Sequence, residues 1–146
     1  MKKFAILLTA LSLSALIAPT ASAQVGTMDI KMEIENNNSM TYATKCPFKC
    51  IGTISTIDDV DWYSVQIGSL STATSFTFTL TDVPTGKDYD LFVYNETGQL
   101  LGKSTNMGSA SEMVTFPITA GKSYYAKVFS VSGYSTSAFY MLSADF

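Results

Sequence analysis

Two acidic clusters are the parts of this chain whose residue types and spacing could do chemistry. The first is Glu33-Ile34-Glu35-Asn36-Asn37-Asn38, with two carboxylates two positions apart. On an extended segment both point to one face, about 7 Å from each other. The second is Ile57-Asp58-Asp59-Val60-Asp61-Trp62, three carboxylates within four residues. Calcium takes about six to eight oxygen ligands from carboxylates, amides and backbone carbonyls. The two clusters hold those ligand types. Each also has a plain structural use: Glu33 and Glu35 as the wetted face of an edge strand, Asp58 and Asp59 as turn residues ahead of a strand. Paired carboxylates also serve glycoside hydrolysis, which needs two acids facing each other across a sugar cleft, and the sequence marks no such cleft.

Other chemistry is excluded by absence. The chain has no histidine, which removes Ser-His-Asp and Cys-His catalysis and any zinc site built on imidazole. All nine basic residues are lysines. They are scattered, so the Lys/Arg footprint of nucleic-acid binding is missing and no nucleic-acid partner is expected. The two cysteines, Cys46 and Cys50, flank Pro47-Phe48-Lys49. In an oxidising compartment such a pair becomes a disulfide, and a loop this short contributes only about 2 kcal/mol, enough to pin a local turn. A redox-active pair needs a different spacing or a helix N-terminus, and neither is evident.

The compartment is read from the start of the chain. Lys2 and Lys3 precede an apolar run over 4–18, and Ala21-Ser22-Ala23 has the small-residue pattern of a signal-peptidase site. Residues 1–23 are therefore expected to be a signal peptide and 24–146 the mature chain, secreted or periplasmic. The apolar run is shorter than the roughly 20 residues of a membrane span, and no later segment approaches that length. Cleavage leaves seven of the nine lysines against all twelve acidic residues, a formal charge of −5.

The elements that must position the clusters read as strands of one domain. Met28, Ile30, Met32 and Ile34 alternate with Asp29, Lys31, Glu33 and Glu35, and Phe76, Phe78 and Leu80 with Ser75, Thr77 and Thr79. Period two means strands with one buried face. Similar runs lie at 51–55, 61–67, 89–94, 99–103, 112–118, 123–131 and 137–144, separated by turn sequences such as Pro84-Thr85-Gly86 and Asn95-Glu96-Thr97-Gly98. About eight or nine strands with no helical period predict an all-β, antiparallel β-sandwich of jelly-roll type, with a closed barrel as the alternative. Asp90 reads as a hydrogen-bond acceptor at a strand end. On the strand over 123–131, Tyr124, Ala126 and Val128 face one way and Tyr125, Lys127 and Phe129 the other, so one set is core. A binding surface is expected from Tyr125, Lys127 and Phe129, or from Tyr134 beyond them.

The order of motifs, Glu33-x-Glu35-x-Asn37, Gly52-Thr53-Ile54, Asp58-x-x-Asp61-Trp62-Tyr63-Ser64-Val65, Tyr89-Asp90-Leu91-Phe92-Val93-Tyr94 and Gly121-Lys122-Ser123-Tyr124-Tyr125, resembles the bacterial pre-peptidase C-terminal domain. That family includes the collagen-binding domains of clostridial collagenases, and the resemblance spans about 32–146. It implies a jelly-roll sandwich appended to secreted peptidases, with calcium between the acidic segment and the Asp-x-x-Asp turn. Carried over, the ligands are Glu33, Glu35, Asn37, Asn38, Asp58 and Asp61, with a backbone carbonyl from Trp62. Asn38 stands where the collagen-binding members carry aspartate, and Phe129 and Val131 stand where they carry tyrosine. The chain is expected to act without the peptidase that normally accompanies the domain, and the Cys46 to Cys50 insert departs from the family pattern. The expected function is a secreted, non-catalytic binding module, calcium-stabilised, attaching to an extracellular protein, polysaccharide or cell surface. The alternatives are a subunit or accessory of a surface assembly, or a regulator of a co-secreted peptidase.

Overall fold

The structure, a computed structural model, describes residues 29–146. The expected signal peptide lies outside the described residues. Ten strands follow one another: β1 (Ile30–Met32), β2 (Thr44–Lys45), β3 (Lys49–Gly52), β4 (Val60–Gln66), β5 (Ser75–Thr81), β6 (Asp88–Asn95), β7 (Leu100–Ser104), β8 (Glu112–Pro117), β9 (Ser123–Ser132) and β10 (Tyr140–Asp145). They form two five-stranded sheets, one in the order β1-β3-β10-β5-β8 and the other β2-β4-β9-β6-β7. The fold is the expected β-sandwich. Its sheets are mixed, however, because β1 pairs parallel with β3 and β2 parallel with β4. All the other pairings are antiparallel.

Period two builds the core. Phe76, Phe78 and Leu80 of β5, Val114 and Phe116 of β8 and Leu142 of β10 meet Val65 of β4, Leu91 and Val93 of β6, and Tyr124, Ala126 and Val128 of β9. Phe116 bridges the layers, with ring centroids 5.9 Å from Phe76 in its own sheet and 5.3 Å from Tyr124 in the other. Such aromatic pairs add about 0.5–1.5 kcal/mol beyond their buried area. The intervening polar residues face water, which is why the strands read cleanly in sequence.

Several expectations change. The alternation over 28–35 predicts Ile30, Met32 and Ile34 inward, yet they are 52%, 56% and 61% exposed and the Glu33 side is turned in. A three-residue edge strand has little apolar surface to bury, so the partners waiting for Glu33 inside set its register. Further along, the strand expected over 51–55 starts two residues earlier, the one expected over 137–144 starts at Tyr140, and β2 was not foreseen. Two residues are too few to show a period. Asp90 lies inside β6, buried and opposite Phe129, not at a strand end.

Cys46 and Cys50 form the expected disulfide, with Cα atoms 5.8 Å apart. It does more than pin a turn. Cys46 donates its N–H to the Ser64 carbonyl in one sheet, Cys50 pairs with Leu142 in the other, and both cysteines are fully buried. The bridge therefore closes the point where the chain crosses from one layer to the other.

Candidate functional site

The chain beyond β1 brings Glu33 under the sandwich edge. Its N–H donates to the Ile51 carbonyl at 3.0 Å, prolonging the β1–β3 pairing, and this turns the side chain inward. Glu33 Oε1 accepts from the Thr53 N–H at 2.6 Å and the Thr53 hydroxyl at 3.2 Å, and Oε2 lies 3.0 Å from the Tyr63 hydroxyl. Gly52 leaves the room. A Cβ there would collide with the Glu33 carboxylate and with the hydroxyls of Tyr63 and Tyr140.

On β4, alternation places Asp61 and Tyr63 on the inward face and Trp62 outward. A carboxylate at a core position breaks the binary pattern of an otherwise regular strand, and such departures mark functional positions. Tyr140, from β10, reaches Asp61 Oδ2 and stands 2.7 Å from the Tyr63 hydroxyl. Asp61, Tyr140, Tyr63 and Glu33 therefore form one hydrogen-bonded chain. It has three contacts, and its two hydroxyls supply two protons. The third must come from a carboxyl. Asp61 is the group that keeps one: burial, then the charge of Glu33, pushes it up to about 9, against the lowering effect of the Tyr140 hydroxyl. Burial, then the charges of Glu33 and Asp59, also raises Glu35. Desolvation raises both Tyr63 and Tyr140, which stay neutral.

Carboxylate oxygens of Glu33, Glu35 and Asp61 lie within 4.8 Å of one another. Asn37 is fully buried, and neither polar atom of its amide has a partner among the described residues. Asp61 Oδ1 is buried and unpartnered in the same sense. A buried polar atom without a partner is costly; Asn37 Oδ1 and Asp61 Oδ1 are acceptors in that state, and a hard cation held by the three carboxylates satisfies acceptor oxygens of this kind.

The remaining expected ligands lie as follows. Asp58 is exposed and stands outside the three-carboxylate group. Its neighbour Asp59 is the buried one, and its Oδ2 accepts from the Ser55 N–H and hydroxyl, both at 2.7 Å. Turned so that its nitrogen meets acceptors, the Asn38 amide donates to the Val60 carbonyl at 3.1 Å and to Asp59 Oδ1 at 3.2 Å. That contact needs a donor, which gives a physical reason for asparagine at position 38. Trp62 donates its N–H to the Asn37 carbonyl at 3.0 Å, tying the acidic segment to β4. Sequence reasoning missed Tyr140, which lies 79 residues from Asp61 in the chain and carries no spacing signal. Tyr63, Thr53 and Gly52 stood within recognised motifs but without a role.

The outward face of the second sheet carries a different set. Trp62 lies opposite Lys127, Lys127 opposite Phe92, and Phe92 opposite Lys103, a row across four strands. Tyr94 packs on Trp62 with centroids 5.2 Å apart, and Phe129 on Phe92 at 5.1 Å. The Lys127 ammonium stands 4.8 Å from the Phe129 centroid and 6.0 Å from that of Trp62, and Lys103 lies 5.6 Å from Phe92. Tyr125 is half-buried at one end of β9, and Tyr134 is exposed between β9 and β10. Phe92 and Tyr94 stood within a recognised motif without a binding role and Lys103 was not singled out; the strand pairing brings them beside Trp62 and Lys127.

No protein-family profile matches the chain, and no curated protein does. Solved structures share its fold. The pre-peptidase C-terminal domain of a collagenase from Bacillus anthracis is 15% identical, with a TM-score of 0.52 over 80% of this chain and 95% of that one. CorA, a surface-associated copper-binding protein of Methylomicrobium album BG8, is 9% identical, with a TM-score of 0.50 over 81% of this chain and 98% of that one. At these identities the likeness is one of fold, and the fold is the one the sequence motifs resemble.

Proposed function

We propose that this chain is an exported, non-catalytic binding module, stabilised by calcium and attaching to an extracellular protein or polysaccharide through the outward face of its second sheet. The observation that carries the metal is the convergence of Glu33, Glu35 and Asp61, whose carboxylate oxygens lie within 4.8 Å of one another, with Asp61 Oδ1 buried and unpartnered. Those residues would hold the ion. The donors are all oxygen, which suits calcium; the copper chemistry named for CorA calls for softer or nitrogen ligands, and none stands in this cluster. Export is supported by the leader pattern and by a disulfide, which persists in oxidising compartments. Among the described residues, no helix is long and apolar enough to cross a membrane.

The attachment surface rests on the Trp62, Phe92, Tyr94, Phe129 face with its two lysines, since partly exposed aromatics beside cations are what binding surfaces use. The test is retention of the exported chain on collagen, chitin, cellulose and cell-wall fractions, with calcium and with chelator. Retention that is lost in Trp62→Ala supports the reading; no retention on any matrix sinks it. A second reading, a subunit of a surface assembly, is favoured by the outward apolar row of Ile30, Met32 and Ile34 on an edge strand. Light scattering that shows a monomer at every concentration and calcium level would remove it.

A further inference from the structure

Further along β4 from Asp61, the Cys46 to Cys50 insert overhangs the ends of β4 and β9 and encloses a groove of about 530 Å³. That volume falls in the range of about 300–1,000 Å³ typical of small-molecule sites. Its walls are aromatic: Phe48 from the insert, Tyr125 from β9 and Phe146, which stands edge-on to the buried Phe76 with centroids 5.0 Å apart. Phe48 and Phe146 are 54% and 68% exposed, an apolar surface left open to water. Two lysines, Lys31 and Lys45, line the groove, and no aspartate or glutamate does. The ion pair found among the described residues is Lys122 with Glu96, so neither groove lysine has a carboxylate partner. In a chain with twelve acidic residues against nine lysines, two unpaired ammonium groups beside three rings form a locally inverted charge pattern.

We propose that this groove binds a small aromatic carboxylate, its ring between Phe48, Tyr125 and Phe146 and its carboxylate met by Lys31 and Lys45. A neutral aromatic would fill the same walls while leaving both ammonium groups without a partner, and a cationic one would be repelled. The disulfide gains a purpose here. It closes the insert that carries Phe48, and the Ala144 N–H fixes the Phe48 carbonyl at 2.7 Å, so the wall is held in place before any ligand arrives. The groove uses none of the carboxylates of the calcium cluster, so it stands or falls independently of them.

The core lies between Cys46 and Ala144, so the exported chain of 24–146 carries all of it and is the protein to test. Backbone amide NMR spectra would be followed, in chelator, during titration with 2-naphthoate, 2-naphthylmethanol and 2-naphthylmethylammonium. Naphthoate is expected to shift the amides of Lys45, Phe48, Gln66 and Tyr125, with the alcohol binding about fivefold more weakly or worse and the amine weaker still. Lys45→Gln should cost naphthoate about fivefold and leave the alcohol unchanged, Lys45→Arg should restore naphthoate, and Phe48→Ala should weaken both. Absence of shifts at the groove, equal affinity for acid and alcohol, or a Lys45→Gln protein that binds naphthoate as the parent does would each overturn the proposal.

Discussion

Asp61→Asn in the metal-free protein isolates the electrostatics of the buried cluster. The unfolded chain releases the Asp61 proton near 3.8, whereas the folded chain holds it up to about 9. A folded value raised above the unfolded one means stability that is fully present below 3.8 and is lost as pH rises toward 9. At about 1.4 kcal/mol per pH unit, the roughly three units between 3.8 and pH 7 oppose folding by up to about 4 kcal/mol. Asparagine escapes this loss. It is neutral at every pH, and its N–H₂ can donate to the Tyr140 hydroxyl as the protonated carboxyl does. In chelator, urea unfolding should therefore show Asp61→Asn more stable than the parent at pH 7 by as much as about 4 kcal/mol, with the gap closing near pH 4. A parent whose stability is flat from pH 4 to 8, or a substitution that destabilises equally at both ends, would refute the argument.

Three further outcomes follow from the same geometry. Gly52→Ala places a Cβ against the Glu33 carboxylate and two tyrosine hydroxyls, so it should cost about 1–3 kcal/mol in urea unfolding and reduce any calcium-induced stabilisation. Replacing Cys46 and Cys50 together by alanine removes a buried bridge between the layers and should lower stability by about 2 kcal/mol or somewhat more, read by the same unfolding curves against the oxidised parent. Trp62→Ala acts on the outward face, so thermal unfolding should move little while retention on the binding matrix falls.

Much of the fold was legible because β5, β8 and β9 alternate strictly and each buries one face. The edges were not. β1 carries an apolar row that the structure turns to water, because Thr53, Tyr63 and the space above Gly52 accommodate Glu33 and three residues cannot outweigh that. β1 and β2, one edge of each sheet, pair in parallel, and a parallel partner leaves no turn signature between its strands. For the site, local spacing pointed to the two acidic clusters, since same-face periodicity and turn chemistry are visible within a few residues, and the family resemblance picked Glu33, Glu35 and Asp61 within them. The resemblance chose Asp58 over Asp59, whereas the Ser55 turn makes Asp59 the buried one, a contact that residue type does not encode. Tyr140 joins the cluster only through the pairing of β10 with β3, opposite Gly52, which no local pattern encodes.

The most direct measurement of the central claim is thermal unfolding of the chain over 24–146 at pH 7.5 with excess calcium and with chelator, alongside Glu33→Gln and Asp61→Asn. Calcium at about 100 times its dissociation constant adds about 2.7 kcal/mol, a rise of several degrees for a domain of this size. The account predicts that rise in the parent, a smaller one at pH 5 where protons compete more strongly with the ion for the raised Asp61 and Glu35 carboxyls, and none in either variant. A midpoint indifferent to calcium, or an equal rise in the parent and in both variants, would contradict it.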